Sequence, residues 1–201
     1  MVAVRKPREP SFSSRMTVAE FLEWEGDDDA LRYQLVDGEP QAMAPASGTH
    51  GALQVTAARL IENHLVGSGS ACRALTEVGI VPRVASDTNF RVPDLLVTCV
   101  PDQPGLKIIP DPVLIVEILS PNNERDTWRN VWTYCSIPSV REILVLRVAE
   151  IGADMIRRQL DGDWPGRPEK LGPEDEVALE SIGFRGRLAD FYARTHLAQS
   201  A

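Results

Sequence analysis

The chain has 201 residues, a formal net charge of −8 and 43% hydrophobic residues. This length and apolar content suffice for one sizeable core, and the acidic balance argues against an extended basic surface for nucleic acid. No run approaches the roughly 20 apolar residues of a membrane span, and the N-terminus lacks the apolar block of a signal peptide. We therefore expect a soluble, cytoplasmic protein with no membrane partner.

The N-terminal segment is predicted to be a disordered leader. Residues 1–15 are rich in Arg, Lys, Pro and Ser and carry almost no apolar period, which is typical of a segment that cannot bury a core. The remaining residues, 16–201, are predicted to form a single domain. Its first helix should begin after Thr17, because Thr17 and Glu20 have the spacing of a capping box.

The middle of the chain alternates between strand and helix patterns. Asp37-Gly38 is a hairpin turn signal after an alternating run, and apolar residues at helical spacing predict a helix from His50 to near Gly67. Further strands are predicted over 76–83, 92–97, 113–120, 142–147, 154–160 and 177–179, with helices over 126–136 and 188–194. This order predicts an α/β (α+β) fold: a mixed central sheet flanked by helices, with extra hairpins at the N- and C-terminal ends.

Two of the predicted strands each carry one acid, Asp94 and Glu117. If these strands pair as an antiparallel hairpin centred on Gly105 and Leu106, facing residues have numbers that sum to about 211. Asp94 then faces Glu117, since 94 + 117 = 211. Directly opposed side chains have Cβ atoms about 4.5–5.5 Å apart, so the two carboxylates could share a cation.

The acid pair has two interpretations. Like charges buried this closely repel unless a metal ion, a proton or an arginine lies between them. The pair is therefore either a metal site or a structural pair, for which Arg91 and Arg125 are flanking partners. The three cysteines are an odd number, widely spaced and in apolar surroundings, and they predict free buried thiols in a reducing compartment. They are Cys72, Cys99 and Cys135.

A set of motifs in this order resembles the Uma-type family of restriction-endonuclease-like proteins, within the PD-(D/E)XK nuclease superfamily. The resemblance covers about Met16 to Tyr192. The motifs are Tyr33-Gln-Leu-Val-Asp-Gly-Glu39, His50, Val92-Pro-Asp94, Val116-Glu117-Ile-Leu-Ser-Pro121, Asp126 at the opening of a helix, and Tyr134.

The resemblance implies a restriction-endonuclease-like core in which Asp94, Glu117 and the main-chain carbonyl of Ile118 hold Mg²⁺ or Mn²⁺. Oxygen ligands suit either ion. Such a site would hydrolyse phosphodiester bonds in DNA by activating a water molecule and neutralising phosphate charge. The resemblance also implies Glu39 as an additional acid near the metal, and His50 either as a phosphate contact or Glu39 partner, or as a capping residue.

The expected lysine is absent from this chain. Two residues after Glu117 stands Leu119, and counting from Asp126 and from Tyr134 places the family's helix lysine at Asn130. An amide carries no charge to stabilise the transition state. The neighbouring Arg129 could offer positive charge, although an arginine cannot act as a base.

Three hypotheses remain open. The first is a metal-dependent endonuclease that acts on DNA, of weak activity or none because the lysine is missing. The second is a non-catalytic binding or interaction protein of the same fold. The third is an unrelated α/β binding protein in which the presence of the two acids is a coincidence. A homodimer is compatible with each of them, with Trp24, Trp164 and the terminal hairpins as candidate contacts.

Overall fold

The fold, taken from a computed structural model, is described for residues 15–28 and 30–199. Apart from Arg15, the predicted leader over 1–15 lies outside these residues. The strands are β1 (Tyr33–Val36), β2 (Glu39–Ala42), β3 (Arg73–Thr76), β4 (Leu95–Thr98), β5 (Pro112–Leu119), β6 (Glu142–Arg147), β7 (Ala153–Arg157), β8 (Glu169–Leu171), β9 (Glu176–Leu179) and β10 (Phe184–Arg187). The α-helices are α1 (Val18–Glu23), α2 (Gly48–Gly67), α3 (Glu124–Tyr134) and α4 (Leu188–Phe191).

A mixed six-stranded sheet forms the centre of the fold, in the order β3-β4-β5-β6-β7-β8. Strands β5 and β6 run parallel, and every other neighbouring pair in this sheet is antiparallel. Parallel neighbours need a crossover connection, and here α3 supplies it. The predicted mixed sheet flanked by helices is confirmed.

The two helices α2 and α3 lie against opposite faces of the sheet. Side chains alternate along a strand, so Leu95 and Val97 of β4 join the core cluster beneath α2, while Leu96 joins the one beneath α3. In β5, Val116 and Ile118 face α2 by the same alternation. The intervening position 117 therefore belongs to the α3 face.

The two extra hairpins are also confirmed, as β1–β2 and β9–β10. Asp37 and Gly38 have φ values of 50° and 86°, the left-handed geometry that a tight two-residue hairpin turn requires. The capping box that begins α1 is present, with Thr17 and Glu20 bonding reciprocally. This N-terminal part forms a smaller apolar cluster of its own, in which Phe21 packs on Phe90.

The strand predicted over 76–83 is wrong in position. β3 ends at Thr76, and Glu77 adopts a φ of 53°, which breaks the extended conformation. After that residue, Gly79 and Ile80 form only isolated bridges. The last α-helix is shorter than predicted, and the three-residue β8 is too short and polar to produce an alternating pattern.

The prediction of three free thiols is wrong for two of them, because Cys72 and Cys99 form a disulfide. The cause is the strand register: Arg73 faces Thr98 in the β3–β4 ladder, so Cys72 and Cys99 are the next opposing pair. Cys135 is free, and burial raises the pKa of its thiol to about 11. None of the helices among the described residues is long and apolar enough to cross a membrane.

Reducing the Cys72–Cys99 bond should lower the free energy of unfolding by about 3–4 kcal/mol, because the bond closes a loop with a sequence separation of 27 residues. Urea unfolding of wild type, with and without a reductant, and of the Cys72→Ser/Cys99→Ser variant measures this effect. Cys135→Ser serves as the control and should respond to reductant like wild type. Equal stability of the oxidised and reduced proteins would contradict the expectation.

Candidate active site

Asp94 and Glu117 face each other across the β4–β5 hairpin. Leu95 pairs with Val116, so the residue before β4 stands opposite Glu117, as the register sum of 211 predicts. Glu117 lies on the α3 face of the sheet, where it contacts Tyr134, whereas the carboxylate of Asp94, which precedes β4, contacts His50 of α2 and the main-chain N–H of Ile118. A bulge shifts the register only beyond Val97, towards the hairpin loop. The predicted register is therefore confirmed at the end where the acids lie.

The carboxylate of Asp94 is held at both oxygens. Its Oδ1 lies 2.9 Å from Nε2 of His50, and its Oδ2 accepts the main-chain N–H of Ile118 at 2.7 Å. The main-chain oxygen of Asp94 accepts a further bond from the side chain of Gln54. Because N–H and C=O of a strand residue point towards the same neighbour, the carbonyl of Ile118 is also directed towards the Asp94 side of β5.

His50 reaches Asp94 from the first turn of α2. Ser47 caps this helix by accepting the main-chain N–H of His50 at 3.2 Å. The cap therefore fixes the position of the His50 backbone, from which the imidazole extends. Burial of the ring lowers its pKa, but the hydrogen bond to Asp94 and the negative charge of Asp94 outweigh burial, and the net result is a raised pKa. His50 is thus poised to carry a proton and positive charge beside the Asp94 carboxylate.

Glu117 is almost completely buried, at 7% exposure. The hydroxyl of Tyr134 donates to its Oε1 at 2.7 Å. Burial raises the pKa of Glu117 well above its usual value, the charge of Asp94 raises it further, and the Tyr134 bond opposes both. In this structure the acid dyad therefore consists of a buried Glu117 whose ionised form is disfavoured and, beside it, a half-buried Asp94 that is paired with His50.

Asn130 lies one helical turn before Tyr134, on the side of α3 that meets the dyad. Its Nδ2 donates to the side chain of Gln34 at 3.3 Å, and its Oδ1 is a buried acceptor that has no partner among the described residues. Arg129, by contrast, is exposed and pairs with Asp126 at 2.7 Å. Of these two residues, Asn130 is the one that α3 turns towards the acids.

Glu39 is not joined to the dyad. It opens β2, where it is exposed and faces Val36 of β1. Among the described residues, no hydrogen bond or ion pair connects Glu39 to Asp94 or Glu117. Asp126 is likewise engaged with Arg129, away from the acids. The residues that the structure brings together are Asp94, Glu117, Ile118, His50 and Tyr134.

The donor set fits a small oxygen-preferring cation. Within residues 15–28 and 30–199, no group of three or more His, Cys, Asp or Glu side chains forms a ready metal cage. Mg²⁺ does not need such a cage, since it usually keeps several waters and is bound through one or two carboxylates. Two opposed carboxylates next to a directed main-chain carbonyl meet that requirement.

Two contacts of the site escape the sequence patterns. Gln54 lies one turn after His50 on the same face of α2, a spacing that could have indicated a shared target. Tyr134 belongs to the motif set, but nothing in the sequence indicates that its hydroxyl bonds to Glu117. Arg91 has the third unexpected position: it is buried at 2% exposure, although it flanks the PD motif where a surface ion pair is the simpler expectation.

Comparisons with known proteins agree with the fold. The family model Uma2, described as "Putative restriction endonuclease", matches residues 18–189. An uncharacterized protein of Synechocystis sp. is 29% identical over 174 residues, 84% of this chain and 87% of the relative. A solved structure from Anabaena variabilis, described as "a putative nuclease belonging to DUF820", superposes with a TM-score of 0.71. It is 18% identical, and the match covers 89% of this chain and 98% of that one.

The structural likeness supports the fold, and the family match extends over most of the chain. The chain therefore belongs to the Uma2 family of restriction-endonuclease-like proteins.

Proposed function

We propose that this protein is a metal-dependent endonuclease that hydrolyses phosphodiester bonds in DNA. The observation that carries the proposal is the opposition of Asp94 and the buried Glu117 across the β4–β5 pair, which brings them close enough for the charge of Asp94 to raise the pKa of Glu117. Two ionised carboxylates this close repel each other, and a divalent cation bound between them attracts both. The family description and the shared fold support a nuclease as the class of protein.

In this proposal, Asp94, Glu117 and the carbonyl of Ile118 hold Mg²⁺ or Mn²⁺. The ion would supply a more acidic water and neutralise charge on the scissile phosphate. The residues around the acids then have orienting roles. His50 and the N–H of Ile118 fix the two oxygens of Asp94, and Tyr134 fixes Oε1 of Glu117. Outer partners of this kind hold ligands in the geometry that binding requires.

The contacts in the structure give less support to the other predicted site residues. Glu39, the proposed auxiliary acid, makes no hydrogen bond or ion pair with Asp94 or Glu117 among the described residues, and Arg129 is paired with Asp126. The net charge of −8 repels DNA at long range, so binding should depend on the cation. A homodimer and a cytoplasmic location stay predictions.

The test is cleavage of plasmid and short duplex DNA by the purified full chain with Mg²⁺, Mn²⁺ or excess EDTA. We expect cleavage with either ion and none with EDTA, and calorimetry should detect binding of Mn²⁺ alone. Cleavage that survives EDTA would contradict the metal role. Binding of Mn²⁺ without cleavage of any DNA would contradict the nuclease assignment.

One observation favours a second candidate, a non-catalytic binding protein of the same fold. Position 130 on the dyad side of α3 holds a neutral amide, whose Oδ1 is buried without a partner. Without a charged group there, the site would retain its acids and lose transition-state stabilisation. Binding of Mn²⁺ and of duplex DNA without cleavage is the result that this candidate predicts.

The Asn130→Lys variant tests whether this position limits activity. We expect cleavage to rise by about 10-fold or more, because an ammonium one turn from Tyr134 would place positive charge near the developing phosphorane, where one missing donor can cost about 100-fold or more. Initial rates at saturating Mg²⁺ measure the effect. Asn130→Gln, which keeps an amide, is the matched control. Equal rates for the Lys and Gln variants would remove this position from the mechanism.

A further inference from the structure

A third acid, Glu77, lies beside the dyad on the next strand of the sheet. Thr76 faces Leu95 in the β3–β4 ladder, so Glu77, the residue after β3, stands opposite Asp94. The main-chain N–H of Glu77 donates to the main-chain oxygen of Asp94 at 3.3 Å. Because neighbouring strands lie about 4.8 Å apart, the backbone of Glu77 is one strand spacing from Asp94, on the side away from Glu117.

The side chain of Glu77 is paired with an exposed arginine. Its Oε2 contacts Nη1 of Arg32, whose side chain is 63% exposed. Within residues 15–28 and 30–199, the other two guanidinium nitrogens of Arg32 have no hydrogen-bond or ion-pair partner. A guanidinium has five N–H donors, so this ion pair leaves most of them available. Among the described residues, Glu77 also forms no metal-holding group with the dyad, which makes it a partner of Arg32 and not a metal ligand.

Strand β1 brings Arg32 to this place. Arg32 immediately precedes β1 and continues its ladder, since its main-chain oxygen accepts the N–H of Met43 after β2. Side chains alternate along a strand, so Arg32 shares a face with Gln34, which accepts the bond from Asn130 of α3. Tyr33, between them, packs in the apolar cluster on the other face. One face of β1 therefore borders the candidate site, with Arg32 at the β3 end and Gln34 at the α3 end.

Arg32 could supply the positive charge that the motif positions lack. The two positions expected to hold lysine are Leu119 and Asn130, in a chain with a net charge of −8. Arg91 is only 2% exposed, whereas Arg32 is accessible to a ligand from solvent. A guanidinium donates to two oxygens of a carboxylate or of a phosphate in the same planar geometry. A phosphate can therefore take the place that Glu77 occupies on Arg32.

We propose that Arg32 binds a phosphate of the DNA substrate on the β3 side of the dyad. Without DNA, Glu77 holds the guanidinium at that place, and a phosphate displaces the carboxylate when DNA binds. The proposal rests on the proposed function above. The competing explanation is purely structural: the Arg32–Glu77 pair would then only hold the β1–β2 hairpin against β3.

The two explanations predict different signs for one pair of variants. Arg32→Ala should raise the Kd for a short labelled duplex about 10-fold, because a hydrogen bond to a charged group contributes about that factor or more. Glu77→Gln releases the guanidinium and should lower the Kd about 3-fold, the size of an exposed ion pair. A pair that only holds the hairpin predicts equal changes in both variants. Stopped-flow anisotropy at saturating Mn²⁺, recorded before cleavage, measures the Kd.

Salt dependence and two further variants sharpen the test. Loss of one phosphate contact should reduce the slope of log Kd against log salt concentration by about 1 in Arg32→Ala. Arg32→Lys keeps the charge and loses the fork of donors, so its Kd should lie between those of wild type and Arg32→Ala. In the Arg32→Ala background, Glu77→Gln should have no further effect, because it acts through Arg32. Mn²⁺ affinity and melting temperature should stay close to wild type, since the ion pair is exposed.

Arg185 provides a matched control. It is 64% exposed and pairs with Glu176 at 2.7 Å within the β9–β10 hairpin. This hairpin packs on the end of α2, where Phe184 contacts the ring of His64, whereas His50 lies in the first turn of that helix. Arg185→Ala makes the same change in charge and removes a similar ion pair. Its Kd should stay within about 2-fold of wild type, because solvent and salt screen a distant exposed charge.

Several results would overturn the role of Arg32. An unchanged Kd and salt slope in Arg32→Ala would do so, as would equal weakening by Arg32→Ala and Glu77→Gln. A Glu77→Gln variant without tighter binding, or with the same gain in the Arg32→Ala background, would overturn the part assigned to Glu77. If wild type binds the duplex and does not cleave it, the endonuclease proposal fails, while the comparison of Kd values still decides the role of Arg32. A wild type that binds no duplex with Mn²⁺ would overturn both proposals.

Discussion

Asp94→Asn should reduce metal-dependent DNA cleavage by at least about 100-fold. Loss of an outer partner of a metal ligand typically costs about 10- to 100-fold in affinity or activity, and loss of a direct ligand should cost more. The substitution keeps the shape of the side chain and its acceptor for the N–H of Ile118, and removes the charge that attracts the cation. Initial cleavage rates and calorimetry with Mn²⁺ measure the two losses.

The matched control for Asp94→Asn is Asp111→Asn. Asp111 is an exposed acid in the loop of the same hairpin, where it is remote from the dyad, so the control makes the same change in net charge. It should retain wild-type cleavage and Mn²⁺ affinity. If Asp94→Asn bound Mn²⁺ as wild type does, the opposed acids would not be the metal site.

Glu117→Gln should have two effects of opposite sign. It should remove cleavage to a similar extent as Asp94→Asn, because the second carboxylate ligand is lost. Without metal, it should also stabilise the fold at neutral pH, because burial and the charge of Asp94 disfavour an ionised Glu117. An acid whose function depends on a bound cation is a stability cost to the protein without that cation.

The pH dependence follows from the raised pKa of Glu117. In the unfolded chain this carboxyl loses its proton near its ordinary value of 4.5, whereas in the folded protein it keeps the proton to a higher pH. Between those two values the unfolded state binds fewer protons, so wild-type stability should fall as the pH rises through the folded pKa, and then level off. The stability advantage of Glu117→Gln should grow over the same window.

Urea unfolding at several pH values, with and without Mg²⁺, measures this prediction. At 100 times its Kd, Mg²⁺ should restore about 2.7 kcal/mol to wild type and nothing to Glu117→Gln. Glu142 provides the control, because it is equally buried but pairs with Arg157 at 2.8 Å and accepts two main-chain N–H groups. Glu142→Gln should lose about 3 kcal/mol. A destabilised Glu117→Gln would contradict the conclusion that burial and Asp94 disfavour the ionised form of Glu117.

The sequence was least informative about α3. Its tryptophans suggest a packing stripe through Trp128 and Trp132, yet Trp132 is 42% exposed and the buried residues are Thr127, Val131 and Tyr134. Large aromatic side chains weigh heavily in a prediction of the buried helix face, even when only part of their surface is buried in the structure.

The disulfide and the buried arginine were hidden for a related reason. Cys72 and Cys99 are 27 residues apart, and only the β3–β4 register makes them neighbours. Arg91 reads as a surface residue beside a motif, because a charged side chain is rarely buried without a partner. Its burial depends on Leu35 and α3, which are distant in sequence.

The amino-acid sequence by itself determined the mixed sheet, the terminal hairpins, the capping box of α1 and the opposition of Asp94 and Glu117. These features depend on local periodicity, turn residues and a short hairpin whose register follows from counting. Only the tertiary structure decided that His50, Ile118 and Tyr134 hold those acids, that Glu39 is exposed and Arg129 is paired with Asp126, and that Arg91 is buried. Such contacts join separate segments, and they depend on which helix face packs against which face of the sheet.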